Sequence, residues 1–314
     1  DGSTGFVLNG IVVDGYFSDR SVSSAGDVNG DGIADILIGE SRAIPNGVFS
    51  GQSYVVFGRN TAFPAEFELA DLLVSNGGDG STGFVLNGID AHDQSGYSVS
   101  SAGDINGDGF DDLFVGGPGA APVIENSGIS HVVLGKASGF SAEFELSSLL
   151  ATNGGDGSTG FILIGIDGED RSGTSVSNAN DVNGDGYADL LIGAPSFSAY
   201  PGESYVVFGH AASFNAEFEL SSLLVTNGGD GSAGFIIKGI DVGDQSGSSV
   251  SNAGDVNGDG YADFLIGANR ADPNGNDSGE SYVVFGQPSG FPAEFELSSL
   301  HLAYGGDGST GFII

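Results

Sequence analysis

The stretch from Asp27 to Asp35 reads DVNGDGIAD, and close copies of it begin at Asp104, Asp181 and Asp255. Each copy places Asp or Asn at loop positions one, three, five and nine, a glycine at position six and an apolar residue at position seven. Alternate side chains of a tightly curled loop point inward, so these oxygens can converge on a hard cation such as Ca²⁺. The glycine at position six permits the sharp turn that this geometry needs.

The four loops predict four calcium sites, one in each repeat. The predicted ligands are the side chains at positions one, three, five and nine and the backbone carbonyl at position seven: Asp27, Asn29, Asp31, Ile33 and Asp35; Asp104, Asn106, Asp108, Phe110 and Asp112; Asp181, Asn183, Asp185, Tyr187 and Asp189; Asp255, Asn257, Asp259, Tyr261 and Asp263. The alternative is a set of Asx-turns, because Asp, Asn and Gly are the usual turn formers. Four copies of one ligand pattern, each with like charges that repel without a cation, favour calcium.

A second phrase shows that the whole chain is repetitive. DGSTGF begins at Asp1 and returns at Asp79, Asp156, Asp230 (as DGSAGF) and Asp307. A fixed period of this length indicates stacked or circular repeats. We therefore expect a single domain over residues 1–314, with repeats at roughly 1–78, 79–155, 156–229 and 230–306 and a partial repeat at 307–314.

The second repeat shows the strand pattern most clearly. Its predicted strands are GFVLNGI (83–89), SGYSVSSA (95–102), DLFVG (112–116) and ISHVVL (129–134), whereas FSAEFELSSLLATN (140–153) is ambiguous between a strand end and a helical turn. Four short strands in each repeat are the content of a propeller blade. The sequence thus predicts an all-β propeller of four blades with four antiparallel strands each. A terminal strand would close the ring, and Phe6 to Ile11 is a fuller candidate than its duplicate at the end of the chain.

Charge and composition exclude several classes of partner. The formal net charge is -35, from 42 acidic against 7 basic residues, so the surface would repel nucleic acid and anionic lipid. Cysteine is absent, and no apolar run is long enough to insert into a membrane. The chain begins inside a repeat, so we expect it to be part of a larger multidomain protein.

The repeats resemble a known family over essentially the whole chain, most clearly in the third repeat. SVSNANDVNGDGYADLLIGAPS from Ser175 to Ser196, followed by ESYVVFG from Glu203, is similar to the FG-GAP repeats of the integrin α-chain propeller and of many bacterial secreted proteins. The resemblance implies an extracellular or cell-surface calcium-stabilised interaction domain, here of a secreted bacterial protein, whose loops contact a partner. Integrin propellers have seven blades and this chain supplies four. A four-bladed ring is the economical interpretation, with an open fragment or a ring of two chains as alternatives.

No catalytic constellation is visible in the sequence. The histidines at 92, 131, 210 and 301 stand at non-equivalent repeat positions without HxxxH spacing, no thiol exists, and no GxSxG elbow joins a strand to a helix. We therefore predict a non-enzymatic module that binds an unidentified protein or glycan. The alternatives are a calcium-dependent carbohydrate-binding propeller and, by fold analogy alone, a propeller hydrolase.

Two further patterns leave alternatives open. Asp90 with Asp93, and the equivalent pairs Asp167 with Asp170 and Asp241 with Asp244, could supply an extra metal contact or form a solvated turn, and the turn is favoured. Tyr54, Tyr205 and Tyr282 recur in the SYVVFG phrase, where packing is a better interpretation than a sugar-stacking platform.

Overall fold

Short β-strands form most of the regular structure. The computed structural model describes residues 4–11, 20–122, 124–137, 139–196, 200–288 and 290–314, and within these ranges it contains strands and 3-10 turns but no α-helix. The strands are β1 (Val7–Asn9), β2 (Arg20–Gly26), β3 (Asp35–Glu40), β4 (Gln52–Val56), β5 (Glu66–Glu68), β6 (Gly83–Asn87), β7 (Ser98–Gly103), β8 (Asp112–Gly117), β9 (Ile129–Val133), β10 (Glu143–Glu145), β11 (Gly160–Ile164), β12 (Ser175–Asn180), β13 (Asp189–Ala194), β14 (Glu203–Val207), β15 (Glu217–Glu219), β16 (Gly234–Lys238), β17 (Ser246–Gly254), β18 (Asp263–Ala268), β19 (Glu280–Val284), β20 (Glu294–Glu296) and β21 (Gly311–Ile313).

Short 3-10 helices follow each of the Glu-Phe-Glu strands. They span Leu69–Leu72, Val74–Asn76, Leu146–Leu149, Ala151–Asn153, Leu220–Leu223, Val225–Asn227, Leu297–Leu300 and Leu302–Tyr304. In the described part of the chain, none of the helices has the length and apolar character required to span a membrane.

The strands assemble into four repeated sheets and one small pair. Across each repeated sheet the order is as follows: sheet 1 is β2-β3-β4-β6-β10, sheet 2 is β7-β8-β9-β11-β15, sheet 3 is β12-β13-β14-β16-β20 and sheet 4 is β17-β18-β19-β21, while β1 pairs with β5 alone. The first four strands of each sheet are antiparallel. Four antiparallel strands in each sheet agree with the predicted strand content of a blade.

Each sheet takes its outer strands from the next repeat along the chain. In sheet 1, Tyr54 of β4 lies opposite Val85 of β6, which belongs to the second repeat. The short strand β10 of that same repeat then pairs in parallel with β6. Residues 140–153, which were ambiguous in the sequence, therefore contain both a strand and helical turns. The Glu-Phe-Glu alternation forms the strand, and the Leu-Ser-Ser-Leu spacing forms a turn that buries Leu146 and Leu149.

The hydrophobic core lies between successive sheets. Leu37 and Val55 of sheet 1 pack in one cluster with Leu113 and Val115 of sheet 2, and similar clusters join sheets 2 and 3 and sheets 3 and 4. All five residues of β6 are buried. The sequence predicted a half-buried strand there, but β6 packs on both faces because Phe84 lies in the cluster with sheet 2 while Val85 lies in a different one.

The terminal strands differ from the prediction. Strand β21 pairs with β19 and completes sheet 4, whereas Phe6 to Ile11 contributes β1, which pairs in parallel with β5. The sequence left open which terminal strand completes the last sheet; β21 does so, and the fuller candidate, Phe6 to Ile11, does not. Among the described residues, no strand pairing and no hydrophobic cluster spans sheet 1 and sheet 4, so no closed sheet is formed.

Candidate metal centres

Each predicted metal loop joins the first strand of a sheet to the second. In sheet 1 the loop runs from Gly26, the end of β2, to Asp35, the start of β3. The register of the two strands shifts between Ser24 and Gly26, so the chain leaves the ladder just before the loop begins. The same shift occurs in the other three sheets. The four loops therefore occupy equivalent places in the fold.

Carboxylates inside each loop accept hydrogen bonds from its own backbone. Asp27 Oδ1 accepts from the amide of Asp31 at 3.0 Å, and Asp27 Oδ2 accepts from the amide of Gly32 at 2.8 Å. Asp31 Oδ1 accepts from the amide of Ile33 at 2.9 Å. The bonds of Asp104, Asp181 and Asp255 repeat this pattern. These are the bonds that the Asx-turn interpretation requires, and they also hold the loop in its curled form.

The aspartate at position nine anchors the loop to the sheet. Asp35 is buried; its Oδ2 accepts from the amide of Val28 at 3.0 Å and its Oδ1 from the amide of Gly58 at 2.8 Å. Asp112, Asp189 and Asp263 are buried in the same way, each with two backbone donors. The position-nine side chain thus links the start of its loop to a glycine two residues after the third strand.

Burial makes the carboxylates of Asp35, Asp112 and Asp189 hard to ionise. Burial raises the pKa of Asp35 to about 6 and the pKa values of Asp112 and Asp189 to about 8, against the opposing effect of their backbone donors. The charges of Asp31 and Asp27 raise the pKa of Asp35 further. A cation near these groups would oppose both effects, since it favours the ionised form.

The donor set of each loop fits a hard cation. Asn106 Nδ2 donates to Asp108 Oδ2 at 3.0 Å, so the side chains at positions three and five are adjacent. Across the described ranges, no three His, Asp or Glu side chains converge closely enough to hold a metal by themselves. An ion in a loop would therefore also need the asparagine and main-chain oxygens, as the sequence pattern assumes. Oxygen-only donor sets of this kind suit Ca²⁺.

The position-seven side chains have a role that the sequence did not reveal. The ring of Tyr187 lies against Gly107 of the preceding loop, and Phe110 and Tyr261 lie in the same way against Gly30 and Gly184. A glycine at position four is necessary there because a side chain would occupy the space of the ring. The sequence signal for this contact was the recurrence of a glycine at position four in loops that carry a large residue at position seven.

Backbone bonds also join neighbouring loops. The amide of Asp111 donates to the carbonyl of Asp27 at 3.2 Å, and the amide of Lys136 donates to the carbonyl of Val28 at 3.0 Å. The amides of Ala188 and Ala262 make the first of these bonds in the next two pairs of loops. The loops are therefore part of the contact between sheets.

This contact between loops gives a matched pair of substitutions. Gly107 has a φ of 74°, and an added Cβ would lie 2.5 Å from Tyr187 Cε1; Gly109 has a φ of 90° and open space around it. We expect Gly107→Ala to lower the free energy of unfolding by about 2–3 kcal/mol and Gly109→Ala by only about 1 kcal/mol, since both strain the backbone but only the first displaces the ring. Urea denaturation measures the difference. Equal losses would contradict the role given to Tyr187.

The second group of acidic residues forms turns in which the second aspartate of each pair is buried. Asp93 Oδ2 accepts from the amide of Asp90 at 2.9 Å, which closes a turn as the favoured interpretation predicts. The aspartates at 93, 170 and 244 are buried, however, and not solvated. Burial raises the pKa of Asp93 to about 6. Burial and the charges of Glu203 and Asp167 raise the pKa of Asp170 to about 7.

Asp170 provides a pH-dependent test. A raised carboxyl pKa means that its stability contribution is fully present below about pH 4 and is lost as the pH rises through about 7. We expect Asp170→Asn to raise the free energy of unfolding by about 1–3 kcal/mol at pH 8 and to change it little at pH 4. Urea denaturation in EDTA measures both values. The exposed Asp71→Asn is the control, since Asp71 is not among the charges that act on Asp170; a gain at pH 4 as large as at pH 8 would contradict the prediction.

Two of the histidines and the three repeated tyrosines pack against other residues of the fold. His131 is buried within β9, and burial lowers its pKa to about 4. His210 stacks on Phe214, with 4.2 Å between the ring centroids. Tyr54, Tyr205 and Tyr282 are buried, so the packing interpretation is confirmed for these three rings.

Repeated sheets with four antiparallel strands each, and an acidic loop after each first strand, define a propeller-like repeat protein. The family model of the FG-GAP repeat matches residues 20–56, 95–133, 172–207 and 246–284, which contain the four loops. The chain therefore carries four FG-GAP repeats, and they are similar to those of integrin α chains.

Curated relatives support this assignment. Integrin alpha-V of Gallus gallus is 27% identical over 255 residues, which cover 78% of this chain and 19% of the relative. Integrin alpha-4 of Xenopus laevis is 31% identical over 173 residues, 54% of this chain and 14% of the relative. A phosphatidylinositol-glycan-specific phospholipase D of Dictyostelium discoideum is 29% identical over 201 residues, 58% of this chain and 19% of the relative. The chain thus spans less than a fifth of the length of each.

Proposed function

We propose that the protein is a calcium-stabilised, non-enzymatic interaction module that works outside the cell. One observation carries the proposal: four equivalent loops present the same acidic pattern, and each is anchored to its sheet by a buried aspartate. Calcium in these loops would neutralise carboxylates that otherwise repel one another, so the ion would stabilise the sheets that the loops join.

The same residues would hold the ion in every loop. In the third loop, the side chains of Asp181, Asn183 and Asp185 and the carbonyl of Tyr187 would be ligands on the exposed side, with Asp189 beneath them. The curled form of the loop is already maintained by the backbone bonds of Asp181. The loop therefore would not need to be ordered by the ion itself, which reduces the entropy lost on binding.

The relatives support an adhesion role more directly than an enzymatic one. Integrin chains account for two of the three relatives described above, and the similarity to the phospholipase D covers only 19% of that enzyme. Asp93 lines a cavity and has a raised pKa, but one of its carboxylate oxygens accepts a turn amide, so we give it a structural role and not a catalytic one. A protein ligand outside the cell is the partner we propose, with secretion or surface display of the chain that carries the module.

Carbohydrate binding through the repeated tyrosines has no support from their position, because all three rings are buried.

The calcium proposal is tested directly by isothermal titration of metal-free protein with CaCl₂. We expect four equivalents to bind, with MgCl₂ as the control for charge alone, since Mg²⁺ demands a smaller and more rigid octahedral site. No heat of binding at millimolar calcium would overturn the proposal.

A further inference from the structure

The metal loops share a dipeptide that can react with itself. Asparagine at position three is followed directly by glycine at position four in every loop: Asn29-Gly30, Asn106-Gly107, Asn183-Gly184 and Asn257-Gly258. Such a pair can form a ring when the glycine amide reaches the side-chain carbonyl carbon of the asparagine, because glycine has no Cβ to obstruct the approach. The reaction requires a glycine amide that is not held by an acceptor and an asparagine side chain that lies near it.

The glycine amide meets this requirement in the first two loops. Among the described residues, the amides of Gly30 and Gly107 donate to no hydrogen-bond acceptor. In the third loop the amide of Gly184 instead donates to Asp181 Oδ1 at 2.6 Å, and the fourth loop has the same bond at 2.7 Å. A charge-assisted bond of this kind is strong and holds the nitrogen in place. The first and second loops therefore carry the more reactive pairs.

The asparagine side chains of these two loops stay close to their own glycines. Asn29 Oδ1 accepts from the amide of Asp31 at 2.9 Å, and Asn106 Oδ1 accepts from the amide of Asp108 at 2.8 Å. Each bond spans two residues, as in an Asx-turn, so the side-chain carbonyl lies beside the glycine between them. Both of these glycines are exposed, so water reaches the pair.

The same dipeptide is held apart at the ends of three 3-10 turns, where it occurs as Asn76-Gly77, Asn153-Gly154 and Asn227-Gly228. Each of these asparagines donates from Nδ2 to the carbonyl six residues earlier, at 2.9 Å. Each glycine amide donates to the carbonyl three residues earlier, at 3.1 Å. Both reacting groups are therefore bonded elsewhere, and the three turns provide an internal control for the loops.

We propose that Asn29 and Asn106 are sites of spontaneous isoaspartate formation, and that bound calcium protects them. The protection rests on the calcium function proposed above, since both asparagines are among the predicted ligands. An ion that binds the side-chain Oδ1 would hold the side chain toward the centre of the loop and away from the glycine amide. The modification is therefore confined to loops without an ion.

The reaction needs only the dipeptide and water. In the second loop, the nitrogen of Gly107 attacks Cγ of Asn106, and the new N–C bond closes a five-membered succinimide ring. The bond between Cγ and Nδ2 breaks, and Nδ2 leaves as ammonia with the proton from the glycine amide. Water then opens the ring at one of its two carbonyl carbons. One opening gives aspartate, and the other gives isoaspartate, in which the main chain runs through the former side chain.

Isoaspartate would inactivate the loop as a metal site. It inserts one methylene into the main chain between positions three and four, so the side chains at positions one, three and five lose the spacing that lets them converge. The asparagine oxygen is lost as a ligand at the same time. A chain that remains without calcium would therefore lose its first two sites irreversibly, and returning calcium would not restore them.

The test is incubation of the protein at 37 °C in EDTA or in 10 mM CaCl₂, followed by mass spectrometry with electron-transfer fragmentation to locate isoaspartate. We expect Asn29 and Asn106 to react about 10- to 100-fold faster in EDTA, since calcium at 10- to 100-fold its dissociation constant leaves only that fraction of loops without an ion. In EDTA they should react faster than Asn76, which also reports any unfolding. The exposed Asn274-Gly275 pair lies outside the loops and should react equally in both solutions.

Calcium titration gives the second measurement. Chains with isoaspartate at both sites, separated by ion exchange, should bind two equivalents, whereas Asn106→Asp, which keeps an oxygen ligand and the normal main chain, should bind four. Four equivalents in the isoaspartyl chain would overturn the proposal. So would yields at Asn29 and Asn106 that calcium leaves unchanged although four ions bind, or that do not exceed the yield at Asn76 in EDTA. If no calcium binds to the parent chain, the calcium function and the protection fail together, while the order of the sites in EDTA still decides the chemistry.

Discussion

Removal of calcium by EDTA is expected to lower the melting temperature of this protein by about 10–20 °C. At a calcium concentration 10- to 100-fold above the dissociation constant, each site contributes about 1.4–2.7 kcal/mol of folding free energy, so four sites contribute about 6–11 kcal/mol. For a chain of this size, each kcal/mol corresponds to about 2 °C. The loops lie between sheets and are hydrogen-bonded to one another, so the loss of bound calcium should destabilise the whole molecule.

Calorimetry in 10 mM CaCl₂ and in EDTA measures this shift, since extracellular calcium modules bind with dissociation constants on the order of 10⁻⁴ to 10⁻³ M. Sodium chloride at matched ionic strength is the control, because simple screening also reduces repulsion among 42 acidic residues. A shift reproduced by sodium chloride alone would show that charge screening, and not a specific ion, stabilises the loops.

The second prediction compares the stability lost when the anchoring aspartate and an exposed ligand of the same loop are each replaced by alanine. Asp189 is fully buried and accepts from the amides of Val182 and Gly209 at 2.9 and 3.0 Å. Asp189→Ala leaves both amides without their acceptor, so we expect a loss of about 3–5 kcal/mol even in EDTA. Asp185→Ala removes an exposed carboxylate and should cost less than about 1 kcal/mol in EDTA.

Calcium should increase the cost of Asp185→Ala. With the ion present, Asp185→Ala should lose a further 2–3 kcal/mol or so, because one site no longer binds. Chemical denaturation of both variants in calcium and in EDTA gives the four values needed. If Asp185→Ala were equally mild in both conditions, Asp185 would not be a calcium ligand, whatever the behaviour of Asp189.

Local spacing was sufficient to predict the loops and most of the strands. The loop pattern depends on residues within a nine-residue stretch, and strands such as β8 and β9 are bounded by nearby turns, so short-range chemistry determines both. The burial of Asp112 was not predictable, because one of its two hydrogen-bond donors, Gly135, is 23 residues away and is brought to it only by the surrounding fold.

The repeat pattern also did not determine which strands of neighbouring repeats form one sheet. A periodic phrase does not say which strands of the period share a sheet, so the assignment of β6 to sheet 1 required the pairing of Tyr54 with Val85. The ends of the chain posed the same difficulty. The duplicates β1 and β21 have similar sequences but different neighbours, and only the structure distinguishes them.

The sharing of outer strands has a consequence for how the molecule comes apart. The second repeat gives β6 to sheet 1, then β7, β8 and β9 to sheet 2, and then returns to sheet 1 with β10. In solenoids whose repeats touch only their neighbours, end units can fray one at a time. Here the second repeat contributes strands to two sheets, so its unfolding removes strands from both sheets at once. We therefore expect the molecule to unfold cooperatively and not one repeat at a time.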